Sequence, residues 1–330
     1  MMSRDSFENK RVLITGGLGF IGSTLARMLV GKGARVTLVD SLIPQYGGNT
    51  FNVADAQDRL RINISDVRDP FSMAVLIKDQ DYLFNLAGQT SHLDSMLDPR
   101  TDLEINASAQ LSILEAARLH NPEVRIVFAS TRQVYGRPEA LPVSEKHPIR
   151  PVDVNGINKV AGESYHLLYH SVHGIPCTCL RLTNTYGPRM RVKDARQTFL
   201  GIWVRCAVEG SPFKVFGDGE QLRDFNYVDD VVDAMLLAAT TEAAIGKVYN
   251  LGSSEVVSLK SLASVLSEIA GNAPFEIVPF PADRKAIDIG DYYGDFSLIT
   301  GELGWSPSRD LRFGLGITLG YYREHQGHYW

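Results

Sequence analysis

The strongest constraint on the fold is a glycine-rich turn that joins a short β-branched run to a helical pattern. Residues 10–15 (KRVLIT) are typical of a buried parallel strand, and residues 21–32 are typical of an amphipathic helix. Gly16, Gly19 and Gly22 stand where the two patterns meet, with the spacing G-x-x-G-x-x-G. Glycine lets a backbone turn tightly and come close to another group. This stretch therefore predicts a strand–turn–helix unit of an α/β domain.

The alternation of strands and helices continues to about residue 185. Further strand patterns are ARVTLVD, LRINISD, YLFNLAG, VRIVFAST and CTCLRLTN, with helical stretches such as LEINASAQLSILEAARLH between them. Such repetition predicts a parallel sheet covered by helices on both faces. After residue 185, loops with Pro and Gly become denser, and a shorter αβ pattern leads to a helix near 312–325. We predict an α/β fold, a doubly wound parallel sheet with a smaller C-terminal α/β lobe and a ligand cleft between them.

Composition disfavours several classes of partner. The 330 residues carry a formal net charge of -5 without a block of like charges, so nucleic acid and anionic membranes are poor candidates. The sequence has no apolar stretch of about 18 residues and no signal-peptide pattern. Cys177, Cys179 and Cys206 form no metal-ligand motif, and the spacing of the first two predicts strand packing. These features predict a cytoplasmic protein without a metal site.

The glycine turn is a candidate dinucleotide site. A pyrophosphate would lie at the N-terminus of the following helix, where free N–H groups and the helix dipole favour negative charge. The residues of the turn that would contact it are Gly16, Gly19, Phe20, Ile21 and Gly22. Asp40 ends the next strand where a ribose would lie, and a carboxylate accepts from both ribose hydroxyls but repels a 2′-phosphate. NAD is therefore favoured over NADP; the alternative is a purely structural turn beside an Asp.

Two further strand ends extend this candidate site. Asp66 and Val67 follow the third strand and would hold the adenine edge; the alternative for Asp66 is a helix cap. Leu86, Ala87 and Gly88 end the fourth strand with mostly small residues, where the cofactor backbone would pass.

Five segments together resemble the extended short-chain dehydrogenase/reductases that act on nucleotide sugars, the NAD-dependent epimerases and dehydratases. They are GGLGFIG, ASTRQVYG, NGINKVAGE, RLTNTYGPR and VFGDGEQLRDFNYVDD, and the resemblance covers nearly the whole chain. It implies a Rossmann-type NAD-binding domain over residues 1–184, with a returning segment near 225–252, and a mainly substrate-binding lobe over 185–330. It also implies a homodimer in which helices near 103–119 and 155–172 pair across a two-fold axis; the alternative is that their apolar stripes belong to a monomer core.

The resemblance implies a nucleotide-sugar substrate and residues that hold it. Asn184 is similar to the family's Asn that contacts the sugar or its phosphate, and Arg223 to the arginine that pairs with the diphosphate. Arg284 is a second candidate for the diphosphate, which suits fixed guanidinium groups. The alternative for Arg223 is a salt bridge to Asp224 or Asp218.

One catalytic position departs from the family pattern. Thr131 stands where the family has its catalytic Ser or Thr, and Lys159 where it has the Lys that holds the nicotinamide ribose. The family's proton-transfer Tyr lies four residues before that Lys, and here the position is Asn155. A phenol near a Lys and a cationic ring becomes a usable base, whereas an amide only donates and accepts hydrogen bonds. Loss of a general base costs about 10²–10⁴-fold in rate.

Three accounts of Asn155 remain open on sequence. In the first, another group or a bound water carries the proton, and the candidates are His92, Asp94, Asp153 and Thr131 as a relay. His92 is alternatively a donor to the substrate or a core histidine, and Asp153 is alternatively only an N-cap. In the second account the protein binds NAD and a nucleotide sugar without turnover. In the third, a Tyr was replaced by mutation.

The residues after Thr131 bear on the reaction. Dehydratases of the family have an Asp-Glu pair there to eliminate water, whereas this chain has Arg132 and Gln133. Neither side chain is an acid–base group at neutral pH, so dehydration is disfavoured. Epimerisation needs only transient oxidation and hydride return to the other face of the sugar. We therefore expect a nucleotide-sugar epimerase, with a 4-epimerase favoured; the alternatives are a non-catalytic binder, a dehydratase or a reductase.

Overall fold

The computed structural model describes residues 6–46, 48–196 and 198–330. Residues 1–5, with which the predicted NAD-binding domain starts, lie outside the described residues, as do Gly47 and Gln197. The strands are β1 (Arg11–Thr15), β2 (Arg35–Asp40), β3 (Leu60–Ile64), β4 (Tyr82–Asn85), β5 (Arg125–Thr131), β6 (Cys177–Leu182), β7 (Asn184–Tyr186), β8 (Phe213–Phe216), β9 (Leu222–Tyr227), β10 (Val248–Asn250), β11 (Val256–Ser258) and β12 (Phe275–Val278).

The α-helices are interspersed with these strands along the chain, and the last three follow β12. They are α1 (Phe20–Gly31), α2 (Pro70–Leu76), α3 (His92–Leu97), α4 (Pro99–Leu103), α5 (Ala109–His120), α6 (Val154–His173), α7 (Phe199–Glu209), α8 (Val228–Thr240), α9 (Leu259–Ile269), α10 (Ala282–Ala286), α11 (Ser297–Leu303) and α12 (Leu311–His325). Within the described ranges no helix is long and apolar enough to cross a membrane.

The main sheet has seven strands in the order β10-β6-β5-β4-β1-β2-β3, and every pair is parallel. Val12 of β1 lies opposite Val36 on one side and Tyr82 on the other. Helices α1 and α8 pack on one face of this sheet. Helices α2 and α5 pack on the other, with Tyr169 of α6. These observations confirm the prediction of a doubly wound parallel sheet. The sequence could indicate it because a sheet that is buried on both faces needs continuous apolar strands.

The second half of the chain builds a smaller lobe around its own core. Strand β9 pairs in parallel with β7 and antiparallel with β11, and β8 and β12 form a separate parallel pair. Helices α7, α9 and α12 pack over these strands. The chain returns to the main sheet in α8 and β10, because Val248 of β10 lies opposite Cys179 of β6.

Two helices differ in detail from the sequence prediction. The predicted helix near 103–119 is interrupted, because a π-helical turn at Glu104–Ser108 lies between α4 and α5. The predicted helix near 155–172 is α6, which begins after the N-cap Asp153 and ends at Gly174 in the left-handed conformation. A π-helical turn rotates the side chains that follow it around the helix axis. Because this turn is only five residues long, the sequence pattern did not indicate it.

The glycine turn after β1 depends on close backbone contact. Gly16 has a φ of +68°, which side-chain-bearing residues rarely adopt. A Cβ at Gly22 would lie 2.2 Å from the Gly16 carbonyl oxygen, far inside van der Waals contact. The start of α1 can therefore approach the end of β1 only when position 22 is glycine.

Gly22→Ala is expected to lower the free energy of unfolding by about 1–3 kcal/mol, since helix and turn must move apart. The control is Gly31→Ala in the same helix, where an added Cβ meets nothing within 4 Å. It should leave stability unchanged or raise it by up to about 1 kcal/mol. Urea denaturation measures both, and equal effects of the two variants would contradict the steric argument.

Candidate active site

Two adjoining cavities lie where the strands of the main sheet end at their carboxyl termini, the usual ligand position in open α/β sheets. Their volumes are about 280 and 460 Å³. The first cavity brings together every predicted cofactor residue: Gly16, Gly19, Phe20, Ile21, Gly22, Asp40, Asp66, Val67, Leu86, Ala87, Gly88 and Lys159. Thr131 and Asn155 line it as well. His92 and Asn184 line both cavities, and Arg223 and Arg284 line the second.

Asp40 connects the end of β2 to the glycine turn. Its Oδ2 accepts the Leu18 N–H at 3.0 Å, and its Oδ1 accepts the Leu42 N–H at 2.9 Å. Burial raises the pKa of this carboxyl, and the two N–H groups only partly offset the effect. Each carboxylate oxygen has further acceptor capacity, so both remain able to bind ribose hydroxyls.

Asp66 is not a helix cap, because Asp69 caps α2. The carboxylate of Asp66 instead accepts from Arg68, with Nη2 2.7 Å from Oδ2. This hydrogen bond is the main reason that the pKa of Asp66 lies below its usual value. Asp66 lies on the wall of the first cavity, next to the buried Val67.

The backbone that follows β4 leaves open space beside the ammonium group of Lys159. Thr15 Oγ1 accepts the N–H groups of Leu86 and Ala87 at 3.0 and 3.1 Å. A Cβ at Gly88 would lie 3.1 Å from Lys159 Nζ, so the missing side chain keeps a space beside the ammonium group. An added Cβ would fill both this space at Gly88 and the glycine turn. The two features therefore fit a dinucleotide that lies across the ends of the strands.

Lys159 is a buried cation on α6. Its Nζ donates to the Ala129 carbonyl at 3.1 Å and lies 5.0 Å from the centre of the Phe128 ring. Burial lowers the pKa of Lys159 to about 8, although the charge of Asp102 acts in the opposite direction. The ammonium group keeps donors for a ligand in the first cavity.

Asn155 has defined structural partners, which the sequence did not indicate. Its Nδ2 donates to the Gln89 carbonyl at 2.8 Å and to Asp102 Oδ2 at 3.0 Å. Asn158, one turn further along α6, donates to Asp102 Oδ1 at 2.7 Å. Two amides three residues apart therefore hold one fully buried carboxylate. The spacing of Asn155 and Asn158 could have indicated a shared acceptor. It could not indicate that the acceptor is Asp102, which lies about 50 residues earlier in the sequence.

His92 and Asp153 form a close pair at the junction of the cavities. His92 Nδ1 lies 2.9 Å from Asp153 Oδ2, although its N–H direction is not aligned for a regular hydrogen bond. Asp153 Oδ1 caps α6 by accepting the Gly156 N–H, and Oδ2 also accepts from Gln133. Burial would raise the pKa of Asp153, but His92 and these donors hold it below its usual value. Asp153 is thus both an N-cap and a partner of His92.

The remaining candidates for the missing base are less suited to it. Asp94 forms a salt bridge with Arg196 at 3.1 Å. Thr131 Oγ1 accepts the N–H of Gln133 at 3.2 Å, which leaves its hydroxyl proton for a ligand.

Arg223 is a buried cation in the wall of the second cavity. Its Nη1 donates to the carbonyls of Leu222 and Gly290, and its Nη2 lies 3.6 Å from Asp288 Oδ1. The salt bridge to Asp224 or Asp218 that the sequence left open is wrong, since Asp288 is the carboxylate partner. Burial, and then the charge of Arg132, lower the pKa of Arg223 to about 10, so it is charged at neutral pH.

Three further side chains complete the second cavity. Asn184 Nδ2 donates to the Asp224 carbonyl at 3.0 Å, and its Oδ1 accepts from Arg132 Nη2 at 3.1 Å. The Arg284 guanidinium lies 5.4 Å from the centre of the Phe216 ring. Arg132, which lines both cavities, was not predicted as a site residue; its place directly after Thr131 was the available signal. No cluster of three or more potential metal ligands occurs among the described residues.

Comparison with known proteins identifies the family of the chain. The profile of the NAD dependent epimerase/dehydratase family matches residues 12–252. A dTDP-glucose 4,6-dehydratase of Streptomyces griseus is 34% identical over 96% of this chain and 94% of its own length. A UDP-glucose 4-epimerase of Mycolicibacterium smegmatis is 32% identical over 95% and 98%. The structure of a Thermotoga maritima UDP-glucose 4-epimerase with UDP-glucose superposes with a TM-score of 0.88 at 30% identity, covering 96% of this chain and 99% of that one.

The resemblance stated from the sequence motifs is confirmed, as is the choice of NAD. The chain belongs to the NAD dependent epimerase/dehydratase family, the extended short-chain dehydrogenase/reductases, and is an NAD-dependent enzyme of nucleotide-sugar modification.

Proposed function

We propose that the protein is a 4-epimerase of a nucleotide sugar. It would oxidise the sugar transiently and return the hydride to the opposite face of the ring. The observation that carries the proposal is His92, which lines both cavities and has the buried Asp153 carboxylate 2.9 Å behind its Nδ1. Bound NAD supplies the hydride acceptor and, in the second half-reaction, the hydride donor.

The choice between epimerase and dehydratase rests on two side chains, since both activities occur among the relatives. Elimination of water needs an acid and a base beside the sugar, and Arg132 and Gln133 are neither. Gln133 is moreover engaged, because its amide donates to Asp153 at 2.9 Å. Epimerisation needs only one group that takes up a proton and returns it.

His92 is the proposed proton carrier. Its Nδ1 side faces Asp153, so Nε2 is the ring nitrogen left to accept the proton of the sugar hydroxyl as hydride leaves the same carbon. The Asp153 carboxylate stabilises the imidazolium that forms. After the keto-sugar has turned its other face to the cofactor position, His92 would give the proton back to the ketone oxygen, which closes the cycle.

Other residues position the reactants. The Thr131 hydroxyl donates to the reacting oxygen, and Lys159 holds the nicotinamide ribose. Arg223 and Arg284 bind the diphosphate in the second cavity, where guanidinium groups suit a dianion. Asn184, between the cavities, contacts the sugar or its phosphate.

The first test follows the anomeric NMR signals of UDP-, GDP-, CDP- and dTDP-sugars with purified protein and NAD. The wild type is expected to convert one sugar to its 4-epimer. His92→Gln and Asp153→Asn should each lower kcat by about 10²–10⁴-fold, because the base is lost or unsupported. His120→Gln, at an exposed position at the end of α5, is the control and should keep full activity.

Either of two results would count against this mechanism. Saturable binding of NAD and a sugar nucleotide without a new signal would indicate a non-catalytic binder. Full activity of His92→Gln would place the base elsewhere.

Asn155→Tyr is expected to give no gain in epimerisation, although it restores the family residue. The change removes two hydrogen bonds from buried partners, Gln89 and Asp102, and should lower the free energy of unfolding by about 1–3 kcal/mol. Ser264→Tyr, at an exposed position of α9, is the stability control. A clear rise in kcat for Asn155→Tyr would instead show that the natural site is an impaired form of the family's.

We further propose that the protein is a homodimer built on α5 and α6. Both helices expose apolar side chains at helical spacing: Leu111 and Leu119 on α5, and Ile157, Leu168 and Val172 on α6. Val172 is 62% exposed and Leu119 is 59% exposed in the single chain. Such stripes on neighbouring helices suit a four-helix interface with a second copy.

Sedimentation should therefore give twice the chain mass of 36.5 kDa. Leu168→Glu is expected to produce a monomer, because it places a charge in the apolar interface. Leu298→Glu, at an exposed position on α11, should leave the dimer intact. A wild type that sediments as a monomer would contradict the proposal.

A further inference from the structure

Arg132 lies at the junction of the two cavities with part of its guanidinium unused. Its Nη2 donates to Asn184 Oδ1 at 3.1 Å, and the group lies 5.0 Å from the centre of the Tyr292 ring. Its Nη1 is buried and, within the described ranges, has no hydrogen-bond partner. A buried charged donor without an acceptor is costly, so a ligand that supplies one is favoured at this position.

The carboxylates around Arg132 are occupied by other groups. Asp224 accepts from Thr183 and from the Gly294 N–H, and Asp288 faces Arg223. In the part of the chain that the structure describes, no carboxylate oxygen lies within 4.0 Å of the Arg132 guanidinium. Arg223 is close enough for its own pKa to be lowered by Arg132. Asp224, Asp288 and Asp153 therefore attract Arg132 only across longer distances, and the unused Nη1 donor keeps no carboxylate of its own among the described residues.

The position of Arg132 indicates which part of a substrate would neutralise it. Arg223 and Arg284 line only the second cavity, where the proposed function places the diphosphate. Arg132 directly follows Thr131, at the end of the sheet where the sugar would react. A hexuronic acid carries its carboxylate on C5, next to the carbon that a 4-epimerase oxidises. A planar carboxylate also matches the fork of a guanidinium group.

We propose that Arg132 binds a carboxylate of the sugar, so that the substrate is a nucleotide-linked hexuronic acid. This inference rests on the proposed function for the placement of the diphosphate and the reacting sugar. It makes Arg132 a specificity-determining residue.

The test compares two ligands that differ only at C6 and lack the nucleotide, α-D-glucuronic acid 1-phosphate and α-D-glucose 1-phosphate. Their affinities are measured by NMR titration of the NAD-loaded protein. The wild type is expected to bind the glucuronic acid compound about 10- to 100-fold more tightly, the usual effect of a charge-assisted hydrogen bond. Arg132→Met should abolish this preference, and it should weaken glucose 1-phosphate far less, through the released Asn184 alone. Arg132→Lys, which keeps the charge but not the fork, should retain part of the preference.

Arg284→Met is the matched control, since it removes a guanidinium from the second cavity alone. It should weaken both ligands equally and keep the preference. Three results would overturn the proposal: equal affinities in the wild type, no binding of the glucuronic acid compound, or equal weakening of both ligands by Arg132→Met. The last would place Arg132 on the phosphate.

These binding measurements do not depend on turnover. If the wild type prefers glucuronic acid 1-phosphate but epimerises no sugar, the carboxylate site is supported and the proposed reaction is wrong. If the wild type epimerises a neutral nucleotide sugar and binds the two sugar phosphates equally, the proposed reaction is supported and the carboxylate site is wrong.

Discussion

The parallel arrangement of the seven-stranded sheet is the constraint on which the site depends. Because every strand runs in the same direction, the carboxyl ends meet along one edge, and residues far apart in the sequence become neighbours there. The contact between Gly16 and Gly22 keeps α1 against this edge, and β10 returns from the smaller lobe to the same sheet. The cavities therefore follow from topology before any individual side chain is considered.

A network of buried polar groups surrounds Asn155 at the start of α6, the position where the sequence motifs lead one to expect a tyrosine. Asn155 and Asn158 hold Asp102, while Asp153 caps the helix and faces His92. A buried carboxylate needs such donors, since isolation from water without partners costs several kcal/mol. Asn155 is thus held by hydrogen bonds to its surroundings.

The site also collects positive charge in a chain whose net charge is -5. Lys159, Arg132 and Arg223 all lie in its walls, and burial lowers the pKa of each. An anionic ligand in the cavities would stabilise the charged form of these three groups. The chemistry of the proposed substrate, with a diphosphate and a second anionic group, corresponds to this distribution.

The sequence by itself determined the parallel sheet, the glycine turn and the position of Asp40. The strands follow from local hydrophobic periodicity, and the turn follows from the backbone conformation that only glycine adopts readily. The motifs around Thr131, Lys159, Asn184 and Arg223 also identified residues that the fold brings to the two cavities.

Only the tertiary structure decided the partners of the polar side chains. Sequence spacing could not show that Asn155 donates to Asp102, that His92 faces Asp153, or that Arg223 contacts Asp288 instead of Asp224. It also could not show that Arg132 has a buried donor left over. A helix or strand is selected by its neighbours in sequence, whereas a hydrogen-bond partner is selected by distance and direction after distant segments have packed together.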